Sequence, residues 1–366
     1  MSENITLEVD RAACGETRLV AAPLEPLANG QVRLRVDRFA LTANNVTYAV
    51  LGDMLGYWDF FPTGDPGWGR VPAMGWADVV ESAHPDVATG GRYYGWFPMA
   101  RFVDLTVSPT GDGLRDDGEH RLAHAPVYRS YVETGHDPMY PKVAAEVLGD
   151  AEDRHALLRG LFLTSFLADC FFADQGYFGT DAVVVLSASS KTAVGFAQRA
   201  AERGLDRVVG VTSAGNAEFV RALGWYTDVV SYDDIASLPA VDAVSVDMAG
   251  DSVALSAVHE QLGERLKYSM IIGKSHHDAP NVEVVGGPTP QLFFAPSEVT
   301  RRTEQWGHDA YQQRMTGAVT EFVAASRGWL GVERSAGAAA TESAYRELYD
   351  GDVSPSVGVI VSLHDA

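Results

Sequence analysis

The chain has 366 residues, of which 46% are apolar and 21% charged, as in a globular protein long enough for two domains. Its formal net charge of −21 argues against nucleic acid and anionic membranes as partners, because both attract clustered lysine and arginine. The two cysteines, Cys14 and Cys170, exclude a disulfide framework and a thiolate-rich zinc site and fit a reducing cytoplasm. The sequence starts without the basic and apolar regions of a signal peptide, and no uninterrupted apolar run predicts a membrane span.

The first 130 residues are predicted to form an irregular β domain. Residues 31–40 alternate between polar and apolar side chains, as a half-buried strand does. Residues 71–82 and 91–97 are rich in aromatic and β-branched side chains and are also predicted strands. Residues 111–121 are charged and rich in glycine, which predicts a surface loop.

Strands and helices alternate after about residue 141. Helical spacing covers residues 142–148 and 151–172. Predicted strands follow at 183–186, 207–212, 228–231, 243–247 and 268–273, with predicted helices at 192–203, 217–223 and 253–262. The last section is predicted to contain helices over 297–325 and 341–348 and strands over 329–332 and 357–361. Buried strands alternating with helices predict an α/β protein with a parallel sheet.

The segment DAVVVLSASSKTAVG at 181–195 reads as an apolar strand, a turn of small residues and the start of a helix. Such turns bind phosphate, because a helix N-terminus offers unpaired N–H groups and the positive end of its dipole. Ser187, Ser190 and Ala193 stand where glycines usually form the turn. Three interpretations stay open: a nucleoside-triphosphate loop suggested by Ser190-Lys191-Thr192, a dinucleotide-binding turn, and an ordinary turn without a ligand.

The end of the second strand bears on the dinucleotide interpretation. In NAD-binding folds an acidic residue about 20 residues past the turn binds the ribose hydroxyls. Here residues 211–216 read VTSAGN and contain no acid. The sequence therefore favours NADP, whose 2′-phosphate a carboxylate would repel.

Short phrases along the chain match, in order, those of a known superfamily. GQVRLRV at 30–36 is followed by ANNVTY, in which Asn44 falls on a family asparagine and Thr47 replaces a family aspartate. Further matches are LTS at 163–165, the turn at 187–193, VVGVTS at 208–213, ALG at 222–224 and YRELYDG at 345–351. On these residues the chain resembles the medium-chain dehydrogenase/reductase superfamily, in particular its zinc-free quinone oxidoreductase and enoyl reductase branch.

The resemblance implies a GroES-like β domain over 1–140, a Rossmann-type doubly wound parallel sheet over 141–290, and a C-terminal segment, 291–366, that completes both. It implies a homodimer that transfers hydride from NADPH, without zinc, to an activated C=C bond or carbonyl of a small molecule in the interdomain cleft. It also implies the cofactor-binding residues, which are Thr164, Ser187, Ser189, Ser190, Lys191, Thr192, Thr212, Ser213, Asn216, Gly273 and Lys274.

Without a metal, a hydrogen-bond or proton donor must meet the negative charge that develops on a carbonyl oxygen. The candidate catalytic residues are Tyr48, Asn44 and Tyr57. The nearby aromatic residues (Trp58, Phe60, Phe61 and Trp68) either shape an apolar substrate wall or fill a core. The pair His276-His277 is expected in a surface loop rather than at a metal.

Two rival functions stay open. One is a Rossmann-like binding or regulatory protein whose altered phosphate turn supports no redox activity. The other is an enzyme with a dehydrogenase fold and non-redox chemistry.

Overall fold

A computed structural model of the chain describes residues 3–275 and 282–365. Its strands are β1 (Glu3–Asp10), β2 (Thr17–Pro23), β3 (Gln31–Leu41), β4 (Trp68–Gly69), β5 (Pro72–Ser82), β6 (Arg92–Pro98), β7 (Phe102–Pro109), β8 (Gly113–Asp116), β9 (Ser130–Glu133), β10 (Ala182–Leu186), β11 (Arg207–Thr212), β12 (Asp228–Ser231), β13 (Ala243–Asp247), β14 (Leu266–Ile271), β15 (Gln291–Leu292), β16 (Gly331–Ala336) and β17 (Val357–Ser362). Its α-helices are α1 (Ala43–Val50), α2 (Gly52–Leu55), α3 (Ala145–Asp174), α4 (Lys191–Glu202), α5 (Ala217–Ala222), α6 (Ser252–Leu262), α7 (Ala295–Trp306), α8 (His308–Ala325) and α9 (Ala338–Asp350).

The chain divides into two compact units. The first comprises Met1–Arg159 and Leu330–Ala366, and the second comprises Gly160–Trp329. The boundary falls within α3, which is long and apolar enough to cross a membrane by length and composition alone. The protein buries 67% of the most apolar window of this helix. A helix that packs into the core of a protein passes the same test of length and composition.

The first unit is built around a long mixed sheet, in which β16 and β17 pair in parallel and the other pairings are antiparallel. Its strand order is β16-β17-β3-β5-β6-β9-β8-β7, and an additional pairing of β3 with β7 closes the sheet into a barrel. A smaller sheet has the order β2-β1-β4. The predicted alternation over residues 31–40 is confirmed in β3, where Val32, Leu34 and Val36 are buried in the core.

Paired charges hold the first half of α3 on this barrel. Glu152 and Asp153 are both buried, and each forms an ion pair with Arg38 on β3. Glu152 also pairs with Arg92 on β6 at 2.8 Å, and Asp153 pairs with Arg334 on β16. Buried carboxylates persist because each faces more than one guanidinium group.

The predicted surface loop over 111–121 is wrong in its centre, because it contains the strand β8 and a buried arginine. The Arg121 side chain is fully buried, and its guanidinium carbon lies 4.1 Å from the centre of the Phe60 ring. Its Nε lies 3.2 Å from the buried carboxylate of Asp116, and its Nη2 donates to the backbone oxygen of Tyr128. The opposite charges of Arg121 and Asp116 compensate each other, so the segment can be buried despite its charged composition.

The second unit contains a parallel sheet. In the described part of this unit, six strands have the order β12-β11-β10-β13-β14-β15, and every pairing is parallel. Val183 and Val185 of β10 face one core cluster, and Val184 and Leu186 face another. Both faces of the sheet are therefore covered, and the predicted α/β class with a parallel sheet is confirmed.

Two helix predictions differ from the structure. Residues 145–148 and 151–172 belong to one helix, α3, because Gly149 and Asp150 continue it, whereas residues 142–144 of the prediction precede the helix. The single helix predicted over 297–325 is two helices, α7 and α8. Gly307 separates them with a φ of 82°, a left-handed conformation that no α-helix contains.

Candidate functional site

The turn after β10 has the shape that a glycine normally gives. Ser187 has a φ of 55°, in the left-handed region that non-glycine residues rarely occupy. Its carbonyl oxygen accepts a hydrogen bond from the Ser190 N–H at 2.9 Å. Ser190 then caps α4 by accepting the Ala193 N–H at 3.2 Å. The turn thus combines a strained serine with a capped helix N-terminus.

This turn lies at the point where the order of the sheet reverses. From β10 the chain continues through β11 and β12 on one side and through β13 and β14 on the other. In open α/β sheets, ligands bind at the carboxyl ends of the strands at this switch point. The loop after β13 lies at the same edge and is ordered by Asp247, which accepts the N–H groups of Ala249 and Gly250 at 3.0 Å.

Gly250 permits a close approach between the loops after β13 and β14. It has a φ of 70°, and a Cβ atom here would lie 2.6 Å from the Gly273 carbonyl oxygen. The Lys274 ammonium donates to the Gly250 carbonyl oxygen at 3.3 Å. The predicted residues Gly273 and Lys274 are therefore at the same sheet edge as the turn.

The predicted residues after β11 also reach the turn. The Thr212 hydroxyl donates to the Ser189 hydroxyl oxygen at 3.3 Å, and the Asn216 amide donates to the same oxygen at 3.2 Å. Ser213 follows Thr212 and precedes a short 3₁₀ turn over Ala214–Asn216. The side chains near the turn on this strand are thus hydroxyl and amide groups.

Lys191 is the first residue of α4, where the positive end of the helix dipole disfavours an ammonium group. Burial lowers the pKa of Lys191 to about 8. Thr192 follows, and its carbonyl oxygen accepts the Ser165 hydroxyl at 2.7 Å. Thr164, a predicted cofactor-binding residue, is half-buried on α3 beside Ser165. An anion beside Lys191 would raise its pKa again and keep the ammonium charged above pH 8.

Tyr232 is a residue of this site that the sequence analysis missed. Its hydroxyl lies 3.2 Å from the Ser187 hydroxyl. Burial raises the pKa of Tyr232 to about 12, and the carboxylates of Asp251 and Asp247 contribute to the rise. The tyrosine directly follows β12, and the carboxyl end of this strand is the signal that points to it.

In the first unit, Tyr48 is placed by α1 and is only 5% exposed. The indole N–H of Trp96 donates to its hydroxyl oxygen at 3.2 Å. In the described part of the chain, the Trp96 indole and the Asn44 amide both donate to the Tyr48 oxygen, and neither takes its proton. Burial raises the pKa of Tyr48 well above its usual range, and hydrogen bonds from Trp96 and Asn44 partly oppose the rise.

Tyr57 lies against Tyr48, with ring centres 4.4 Å apart. Its hydroxyl is 3.4 Å from that of Tyr128, a second residue that the sequence analysis missed. Of the two hydroxyl groups, one donates and the other keeps its proton available. Together with Tyr48, the group has hydroxyl protons that it can donate to a ligand that carries a carbonyl oxygen.

Asn44, the predicted family asparagine, is half-buried on α1. The buried neighbour Asn45 has a structural role, since its side chain accepts the Thr42 N–H at 2.7 Å and donates to the Pro72 carbonyl oxygen at 2.9 Å. These two bonds fix the start of α1 against β5. They orient the face of the helix that carries Asn44 and Tyr48.

The aromatic stretch after α2 is mostly core. Trp58 is packed between Gly52 and Gly69, where a Cβ atom would lie 2.3 and 2.2 Å from the indole. Phe60 and Phe61 are also buried. Trp68 is half-exposed beneath the guanidinium of Arg18, at 4.2 Å. The described packing therefore favours the core interpretation over a substrate wall for Trp58.

Residues 3–275 and 282–365 contain no group of three or more His, Cys, Asp or Glu side chains that could hold a metal ion. His276 and His277 lie outside the described residues. Both cysteines are buried thiols, and burial raises the pKa of Cys170 to about 11. Neither thiol is activated as a nucleophile.

Comparison with known proteins gives both a family and a fold. The family described as "Protein of unknown function (DUF2855)" matches residues 39–354. No curated protein matches the sequence.

Several solved structures share the fold over the full chain. CurA from Vibrio vulnificus in complex with NADPH has a TM-score of 0.62 and 15% identity, with 100% of each chain covered. A putative NADPH:quinone reductase from Mesorhizobium loti has a TM-score of 0.57 and 15% identity, covering 99% of this chain and 98% of that chain. A mutant form of the enoyl thioester reductase from Candida tropicalis has a TM-score of 0.56 and 11% identity, covering 99% and 100%. The predicted GroES-like and Rossmann-type fold is thus confirmed.

Proposed function

We propose that this chain, which belongs to the DUF2855 family, is an NADPH-dependent, zinc-independent reductase of an activated C=C bond or carbonyl. It acts on a small molecule, in the cytoplasm and as a homodimer. Structures of the same fold in complex with NADPH or NADP support the cofactor.

The observation that carries the proposal is the turn at the switch point of the parallel sheet. Ser187 keeps the left-handed backbone of a dinucleotide turn, and α4 presents its N-terminus directly after it. The side chains that surround Ser189 are uncharged, and Lys191 adds a cation. Such a set of groups suits the pyrophosphate and the 2′-phosphate of NADP and opposes neither.

The hydrogen-bond donors of the first unit suit the second half of the reaction, in which the substrate is protonated. When bound, the reduced nicotinamide supplies a hydride to the electrophilic carbon. The electron pair of the substrate π bond moves to its oxygen or α-carbon, and that atom takes a proton. Tyr48 is the proposed proton donor, with Asn44 beside its oxygen and Tyr57 as a further hydrogen-bond donor. The phenolate left on Tyr48 regains its proton from solvent.

One observation favours the rival binding function. The Ser187 hydroxyl is already bonded to Tyr232, so the turn is closed by protein groups. A protein that had lost its cofactor would keep such a bond without cost. The two functions differ in whether a nicotinamide nucleotide binds.

Fluorescence titration with NADPH, NADH and ATP separates them. We expect NADPH to bind more tightly than NADH, and ATP to bind weakly. Lys191→Ala should weaken NADPH binding by about tenfold if its ammonium contacts the 2′-phosphate, and should change NADH binding less. Lys267→Ala is the control, because Lys267 pairs with Asp242 on the surface. No binding of either nicotinamide nucleotide at millimolar concentration would refute the reductase.

Turnover tests the proposed proton donor. Oxidation of NADPH is followed with a panel of enones, enoyl thioesters and quinones. Tyr48→Phe should lower kcat by about 10²-fold, the scale of general acid catalysis, with unchanged NADPH affinity. Unchanged kcat in this variant would remove Tyr48 from the mechanism.

A further inference from the structure

We infer that Trp96 is a positioning residue for Tyr48. Its indole N–H donates to the phenol oxygen, which leaves the phenol to donate its own proton, and it stabilises the phenolate after that proton has left. The inference rests on the proposed function and extends it to a residue of β6. Trp96 and Tyr48 are 7% and 5% exposed, and the indole nitrogen lies 3.2 Å from the phenol oxygen.

The chemistry of the two groups fixes the direction of this bond. An indole N–H donates and has no acceptor, whereas a phenol can do both. Trp96 therefore always donates, and the Tyr48 oxygen always accepts. The phenol proton must be given to another group, because in the described part of the chain both partners of the phenol, the Trp96 indole and the Asn44 amide, donate to its oxygen. A buried hydroxyl with an unused proton is costly unless a ligand oxygen accepts it.

The same bond is stronger after the reaction than before it. When Tyr48 gives up its proton, one O–H bond breaks on the phenol and one forms on the substrate. The negative charge that remains on the phenol oxygen then faces the Trp96 N–H, and a hydrogen bond to a charged oxygen is about twice as strong as a neutral one. An interaction that strengthens as the charge develops accelerates the chemical step rather than binding.

The indole is held in place by its surroundings. Trp96 pairs with Met74 of β5, and its carbonyl oxygen accepts the Tyr131 hydroxyl at 3.0 Å. Its ring meets the Tyr128 ring edge-on, with centres 5.5 Å apart and planes at 86°. These contacts are independent of Tyr48, so the indole N–H stays aimed at the phenol when the phenol is changed.

Nuclear magnetic resonance tests the bond without any substrate. The protein is labelled with ¹⁵N-tryptophan, and Trp96→Phe identifies the indole signal. Tyr48→Phe should shift that signal and speed its exchange with solvent, whereas Tyr93→Phe, a buried tyrosine on the same strand, should leave it in place. If Tyr48→Phe changes neither the shift of the indole signal nor its exchange with solvent, the inference is refuted.

Kinetics test the role. Replacing Trp96 with β-(3-benzothienyl)alanine keeps the ring shape and removes the N–H. We expect kcat to fall about 10- to 100-fold with NADPH affinity unchanged, and 3-fluorotyrosine at position 48, a stronger acid, to recover part of the loss. In the Tyr48→Phe background the same replacement should have no further effect on kcat. If the unmodified protein reduces its substrate and the benzothienyl variant keeps full kcat, the role of Trp96 is refuted while the reductase stands. If the unmodified protein binds no nicotinamide nucleotide, the reductase and the catalytic role fall together, and the NMR result alone describes the bond.

Discussion

The left-handed conformation of Ser187 predicts that the protein is more stable with glycine than with alanine at this position, which is the reverse of the usual order. Ser187→Gly and Ser187→Ala both remove the hydroxyl and its 3.2 Å hydrogen bond to Tyr232, so the two variants differ only in the backbone. At a φ of 55°, steric strain on a Cβ atom destabilises the folded protein by about 1–2 kcal/mol, and glycine has no such strain. Glycine loses about 0.4–1 kcal/mol through the greater freedom of its unfolded chain. The glycine variant should therefore be about 0.5–1 kcal/mol more stable than the alanine variant.

Urea unfolding followed by circular dichroism measures this difference through the midpoint. Ser189 provides the control pair, because its φ is not positive. There the alanine variant should be the more stable of the two, by about 0.4–1 kcal/mol. If Ser187→Ala is as stable as Ser187→Gly, the left-handed turn is not the conformation of this protein in solution.

Three further predictions concern pH and packing. Burial lowers the pKa of His155 to about 4, so as the pH falls below about 6.5 the unfolded chain binds a proton at this histidine before the folded protein does. The free energy of unfolding should therefore drop by about 3 kcal/mol by pH 4. His155→Gln should reduce this drop, which urea unfolding midpoints measure. NADPH affinity should decline as the pH rises through about 8, where Lys191 loses its proton, and titrations of Lys191→Ala should show no such decline. Gly195→Ala places a Cβ 2.9 Å from two side chains of α3 and should cost about 1–3 kcal/mol, whereas Gly317→Ala, with no neighbour within 4 Å, should stabilise α8 in thermal unfolding.

The sequence predicts the elements whose spacing is regular and whose partners are near. β3 alternates from Gln31 to Asp37, and β10 is a continuous apolar run, so period and composition were enough to place both. The parallel sheet followed from the alternation of such runs with helices. The order of the turn, the helix and the next strand then located the candidate site.

Residues that meet across a long stretch of chain were not predictable in this way. Trp96 is 48 residues from Tyr48, and Tyr232 is 45 residues from Ser187, so no local pattern joins either pair. Arg121 illustrates a second failure, because its charge indicated solvent while its burial depends on Asp116 and on the face of Phe60. In each case the deciding partner comes from another element.

The absence of glycine from the turn is therefore less of an obstacle than the sequence alone indicates. The geometry that a glycine would provide is present, because Ser187 adopts it despite its Cβ. A residue held in such a conformation is maintained by its surroundings, and strain of this kind is concentrated at ligand sites. What the serine adds is a hydroxyl group, which is bonded to Tyr232 and lies on the side of the turn where β12 ends. The substitution thus changes the chemistry of the turn rather than its shape, and the nucleotide titrations measure that change.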